Sequence, residues 1–389
     1  MDKESYAVLE LNLSSPSSGE YVVKAQFNDP ESATDNHFTR SAPLNINELR
    51  QLVLDDPNYG QHLSQQLFAE QAIRDLFIHA RGVTNARNST LRVRLSIEES
   101  AATLHTIHWE KLTIPDDKES FIALNQHFIV SRYVSGEGWH PITRRPARNN
   151  LRVLAVIANP TNLEDYNLAP IKVEQEKQHI TSSFQDEIHV DIIASQGQAT
   201  LETIVQRFQN GTYHMLYLVA HGNFSQSQRP TLWLEKENGE ADFVDGTKLV
   251  ERFKQLYPRP LLVVLASCQS AGDGDHIEQQ EQPEAEQGSS QNKGNNAGKA
   301  LAALGPSLAK AGIPAVLAMQ GNITQKTVAQ FMPAFFNQLQ NDGLIDRAVT
   351  VARGTVQQHT DWWMPVLFLR VTDGCLWDNK AADDKSVKA

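Results

Sequence analysis

The chain of 389 residues is poor in cysteine, with two in all, Cys268 and Cys375. Two cysteines cannot build a disulfide framework, and neither stands in a C-x-x-C pair or near histidines at zinc-finger spacing, so no structural metal is expected. Long apolar runs are also missing: no stretch approaches the 18 residues a membrane helix needs, which argues against a membrane-embedded protein. Concentrated positive charge is absent too. The net charge is −11, and the densest basic stretch, TRRPARNN with Arg144, Arg145 and Arg148, reads as a linker. Nucleic acid is therefore not expected as a direct ligand, because neutralising phosphates requires a basic face. No G-x-x-x-x-G-K-[ST] or G-x-G-x-x-G follows an apolar strand, which disfavours a nucleotide site. The opening MDKESYAVLELNLSS has no basic start followed by an apolar core, so a cytoplasmic location is expected. No repeat at a period of 20 to 50 residues marks a solenoid.

What is present is an ordinary globular composition, 40% hydrophobic and 21% charged, arranged in two styles. The segment HPITRRPARNN, residues 140 to 150, carries two prolines, three arginines and two asparagines and reads as a boundary. We divide the chain there. Residues 1–148 form an N-terminal α+β segment expected to pack on the C-terminal domain or to complete it. In this segment YAVLELNL and YVVKAQF alternate like a hairpin, HLSQQLFAEQAIRDLFIHARG has helical spacing and ends on Gly82, and LRVRLSI and HFIVSRYV are further strands around a short helix at LHTIHWEKL.

Residues 149–378 alternate apolar strands with amphipathic helices: LRVLAVIA, HVDIIA, YHMLYLVA, PLLVVLAS, PAVLAMQ and PVLFLR are strands, separated by helical stretches. Repeated βα units predict an α/β fold with a mostly parallel central sheet and helices on both faces. The stretch 272–297, DGDHIEQQEQPEAEQGSSQNKGNNAG with its neighbours, is nearly free of apolar residues and predicts a flexible polar loop; residues 379–389 predict a disordered tail.

Ligands of such sheets bind beyond the carboxyl ends of the strands. At that edge YHMLYLVA runs into His221 and PLLVVLAS into Cys268, 47 residues further on. An imidazole beside a thiol can generate a thiolate nucleophile and later protonate a departing amine. The backbone N–H groups of Gly222 and Cys268 are candidates for an oxyanion hole. A cysteine at a strand end is by itself more often a small core residue, and a histidine there often only satisfies a local hydrogen bond, so it is their joint placement that points to chemistry. Cys375, in VTDGCLW, reads as packing against Trp377, and Trp362 and Trp363 as core or groove wall. Asp273 and Asp275 lack the remainder of a calcium loop.

YHMLYLVAHG followed by LLVVLASCQSAGDG resembles the CHAT domain, a caspase-like peptidase family related to caspases, separase and metacaspases. LRVRLSI, HWEKL, FIVSRYV, LRVLAVIANPT, AGIPAVLAMQGNIT, LIDRAVTVAR and WWMPVLFLRVTDGCLW agree in order, so the resemblance spans about residues 90 to 377. It implies a caspase-like α/β/α sandwich and a cysteine endopeptidase with a dyad of His221 and Cys268, needing no cofactor. Ala266 stands where metacaspases have an aspartate, so P1 preference must come from elsewhere; the loop NPTNLEDYNLAP offers Glu164 and Asp165 as S1 candidates beside Ala266, or else a solvated acidic turn. The resemblance further implies a protein substrate in anti-phage defence or programmed death, such as a gasdermin pore-former or another effector, a separate regulatory or sensor protein, and the polar loop 272–297 as an activation segment. A catalytically silent scaffold of the same fold is the alternative.

Overall fold

A computed structural model describes residues 6–17, 20–32, 36–53, 55–115, 117–134, 145–184, 188–211, 213–266, 268–269, 297–321 and 323–377. The tail 379–389, His276, Asp273, Asp275 and the polar stretch up to residue 296 lie outside them. The described residues fall into two compact units, 6–134 and 145–377.

The first unit begins with the expected hairpin, β1 (Ala7–Ser17) and β2 (Glu20–Asn28), whose alternating buried residues face one core. β3 (Asn36–Ala42) extends it antiparallel. Three helices come next, α1 (Ile46–Gln51), α2 (Asp56–Leu67) and α3 (Gln71–Ala86). The single helix expected across residues 62–82 is instead broken between α2 and α3, and α3 runs through Gly82 rather than stopping there. A Cβ at Gly82 would meet nothing within 4 Å, so this glycine is an open helix position, tolerated at a cost of about 1 kcal/mol and not a terminator. β4 (Leu91–Ile97) pairs parallel with β1; after a short β5 (Thr113–Ile114) and β6 (Asp117–Phe121), β7 (Phe128–Tyr133) pairs parallel with β4.

The HWEKL stretch forms 3₁₀ turns, not an α-helix, and closes a buried knot. Trp109 Nε1 donates to the Leu104 carbonyl at 2.8 Å, and Arg132 on β7 donates to Glu110 at 2.7 Å and to the His105 and Ile107 carbonyls. Both charged side chains are 3% exposed, so each depends on the other for compensation.

In the second unit β8 (Arg152–Ile157), α4 (Val173–Ser183), β9 (His189–Ile193), α5 (Leu201–Asn210) and β10 (Met215–Val219) alternate as expected. An unforeseen antiparallel sheet interrupts them: β11 (His221–Phe224), β12 (Pro230–Glu235) and β13 (Ala241–Asp245). The alternation resumes with α6 (Gly246–Lys254), β14 (Leu262–Ala266), β15 (Cys268–Gln269), α7 (Ala297–Lys310), β16 (Ala315–Met319), β17 (Ile323–Thr324), α8 (Gln325–Asp342), α9 (Ile345–Thr355) and β18 (Pro365–Leu369).

The main ladder of this unit runs β9-β8-β10-β14-β16-β18, parallel throughout except for the last pair. Every residue of β10, β14, β16 and β18 is buried, the pattern of strands covered on both faces. Right-handed crossovers explain the cover: the step from β8 to β9 runs one way along the sheet and the steps β9 to β10 to β14 to β16 run the other, which sends α4 to one face and α5, α6 and α7 to the opposite one. Packing agrees, with α4 against α8 and α8 against α9, and α6 bridging α5 and α7. The expected α/β class with a mostly parallel sheet is what the chain folds into. The reversal of direction falls between β8 and β10 and creates the crevice in which such sheets bind ligands.

Candidate active site

The two strands on one side of that crevice, β10 and β14, carry the histidine and cysteine motifs. β10 stops at Val219, not at His221 as expected, and β14 stops at Ala266, not at Cys268. The sheet closes with the Ala220 N–H donating to the Ala266 carbonyl at 3.2 Å, after which each chain leaves the main ladder. Val219 is the register partner of Ala266. His221 and Cys268 therefore each stand two residues beyond the same rung on neighbouring strands.

The exit chains enter new pairings. His221 opens β11 opposite Trp233 of β12, and Gly222 lies buried opposite Leu232. The backbone of Cys268 pairs parallel with Ile323, and Gln269 with Thr324. β17 is held from behind: Asp361, 4% exposed, accepts from the Thr324 N–H at 2.7 Å and from the Thr327 hydroxyl, and His359 Nδ1 lies 2.8 Å from that hydroxyl. Thr324 also caps α8 by accepting from the Thr327 N–H at 3.2 Å. Cys268 thus sits next to a two-residue strand anchored on a helix start.

His221 is 6% exposed, and its Nε2 lies 2.9 Å from the Ala169 carbonyl oxygen. A carbonyl can only accept, so Nε2 carries the proton and the Nδ1 lone pair of the neutral ring is left for other use. Burial pushes the His221 pKa below the ordinary histidine value and outweighs the Ala169 bond, which favours the charged form. Burial thus favours the neutral ring, and a backbone carbonyl fixes its orientation.

Ala169 lies on the loop from β8 to α4, which is strapped to the β12–β13 hairpin. The Thr161 N–H donates to the Gly239 carbonyl at 2.9 Å, and Asn162 Oδ1 accepts from the Ala241 N–H at 2.8 Å. Tyr166 stands edge-on to Trp233 and Phe243, with ring centroids 4.9 and 5.2 Å away, and Trp233 in turn meets Phe243 at 4.6 Å. Since His221, Trp233 and Phe243 are successive register partners, they form a row on one face of the small sheet.

Glu164 and Asp165 occupy the 3₁₀ turn Leu163–Tyr166 of the same loop, exposed and without an ion pair among the described residues. Ala266, the third S1 candidate, is 0% exposed inside the main sheet. Cys375 Sγ donates to the Trp377 carbonyl at 3.0 Å, and Trp362 and Trp363 are buried. Among the described residues no cluster of three His, Cys, Asp or Glu could hold a metal ion, and no helix is long and apolar enough to cross a membrane.

Sequence reasoning did not reach Ala169, Tyr166 or Trp233, nor Asn159 and Glu235, which brace the loop behind them. A backbone carbonyl has no residue signature; for Trp233 and Glu235 the signal available was the alternation in PTLWLE, while Tyr166 and Asn159 lie in the loop NPTNLEDYNLAP without a periodic pattern.

The molecule is thus an α/β protein with a histidine and a cysteine at the carboxyl edge of adjacent parallel strands. It belongs to the CHAT domain family, whose pattern matches residues 57–370. The solved structures that are similar include two at 10% identity. A chain of the Saccharomyces cerevisiae separase–securin complex matches 93% of this chain and 30% of its own, with TM-score 0.47; a chain of the complex of Porphyromonas gingivalis RgpB pro- and mature domains matches 82% of this chain and 72% of its own, with TM-score 0.40. This chain thus spans less than a third of the yeast chain it matches. No curated protein matches it.

Proposed function

We propose that the chain is a cysteine endopeptidase in which Cys268 is the nucleophile and His221 its base. The observation that carries this reading is the shared rung Val219–Ala266, which sends both residues out of the sheet at one edge beside the switch point.

In the proposed cycle Nδ1 of neutral His221 takes the Cys268 thiol proton. The thiolate attacks the peptide carbonyl carbon, and the oxyanion is held by the backbone N–H groups of Gly222 and Cys268. The C–N bond breaks as His221 returns the proton to the departing amine, leaving a thioester. Water then loses a proton to Nδ1 and adds to the thioester, the C–S bond breaks, and the thiol re-forms with that proton. Nε2 stays on the Ala169 carbonyl throughout.

The proposed substrate is one partner protein in the cytoplasm, within the defence or programmed-death setting that the family resemblance implies, with a gasdermin pore-former as one candidate and a separate regulatory protein as trigger. Glu164 and Asp165 are the proposed S1 acids, suited by charge to a basic P1 residue.

A peptide-like thiol-reactive probe tests the assignment. Labelling should disappear in Cys268→Ala and persist in Cys375→Ala. Equal labelling of wild type and Cys268→Ala would overturn it, and no labelling with an activator present would favour the silent scaffold.

A further inference from the structure

The Ala169 carbonyl can orient His221 only if the loop holds it still, and one side chain does this at short range. Asn159, just beyond β8, reaches across the loop and accepts from the Ile171 N–H through Oδ1 at 2.8 Å. Its own N–H donates to Glu235 Oε1 at 2.9 Å, and Glu235, 1% exposed, takes the Ala199 N–H on its other oxygen. The base of the loop is therefore tied to β12, the strand that pairs with His221.

Ala169 and Ile171 flank Pro170. The peptide on one side of this proline presents its carbonyl to His221, and the peptide on the other side presents its N–H to Asn159. Proline locks its φ near −65°, so a single soft torsion, the ψ of Pro170, relates the two peptide planes. Fixing the Ile171 N–H consequently fixes the direction of the Ala169 carbonyl. We infer that Asn159 is a positioning residue for His221: its side-chain carbonyl sets the peptide that keeps the imidazole proton on Nε2 and the lone pair on Nδ1.

This inference rests on the reading of His221 as the base, and two readouts keep the two apart. The first is the imidazole tautomer, read from ¹⁵N spectra of the histidine-labelled full chain with His221 assigned by substitution. The second is the rate at which iodoacetamide alkylates Cys268, followed by peptide mass spectrometry as a function of pH. Asn159→Leu is similar in shape and lacks the acceptor, Asn159→Ala is a second variant without it, and Asn159→Asp restores an acceptor. Wild type and Asn159→Asp should show the Nε2–H tautomer and alkylate alike. Asn159→Leu and Asn159→Ala should show a mixed or Nδ1–H tautomer and alkylate roughly tenfold more slowly at pH 7.

An unchanged Nε2–H signal in a folded Asn159→Leu or Asn159→Ala would overturn the inference. A wild-type ring protonated on Nδ1 would overturn it whatever the variants do. If His221→Ala alkylates like wild type across pH, the base assignment falls, while the tautomer comparison still decides the role of Asn159.

Discussion

Strand β10 has a histidine at each end, His214 just before it and His221 just beyond it, and the two rings share a chemistry but not a bonding pattern. Both are held below the ordinary histidine pKa, His214 by burial reinforced by the positive charge of Arg152, His221 by burial alone. At His214 the acceptor nitrogen is occupied: Nδ1 takes the Arg152 backbone N–H at 3.2 Å and stitches β8 to β10. At His221 the donor nitrogen is occupied, by Ala169, and the acceptor has no partner among the described residues. A depressed pKa therefore marks a buried ring, and the hydrogen-bond inventory separates His214, which braces two strands, from His221, whose arrangement suits the proposed base.

The sharpest way to break this contrast is to delete each ring. His221→Ala should slow Cys268 labelling by roughly 10²- to 10⁴-fold, the usual worth of a positioned base, whereas His214→Gln should leave the rate within about twofold. Comparable losses would erase the distinction.

The next test changes the surroundings of His221. Trp233→Ala should cost about 3–5 kcal/mol of stability in urea unfolding, as expected for a 6% exposed indole packed on two other rings. It also lets water reach the imidazole, so the pH profile of Cys268 labelling should move upward, toward the ordinary histidine value near 6.5. A profile that stays in place would mean that the ring does not owe its depressed pKa to this cover.

The smallest effect is one the two histidines should share. Each has a folded pKa below its unfolded value near 6.5, so in the window beneath 6.5 the unfolded chain binds more protons and stability rises with pH. Urea midpoints should fall as pH drops from 6.5 toward the lowered folded values, and should be insensitive to these groups above that window. Replacing either ring by Gln should flatten the slope; a steeper slope would contradict burial as the cause.

Much of the architecture is legible in the chain itself. The apolar runs at 153–158, 215–220 and 262–266 are continuous because their strands are covered on both faces, so the βα alternation and the placement of His221 and Cys268 at one edge could be read directly. The β11–β13 sheet could not, because PTLWLE and ADFVD are short, carry charges and gain their burial from a loop and from helix α7, both distant in sequence. Gly82 misled for the complementary reason: glycine marks a helix end only when the backbone there needs a left-handed turn, and on α3 it does not.

The residue types and their order were enough to determine the class of fold, the candidate nucleophile and base, and the family, since these rest on periodicity and on local motifs. Tertiary structure decided what the His221 ring is attached to. The Ala169 carbonyl, the row of Trp233 and Phe243 beside His221, and the tie from Asn159 to Ile171 join backbone atoms and side chains that are mostly far apart in the chain. Their meeting depends on the reversal of strand order between β8 and β10, which no local pattern encodes.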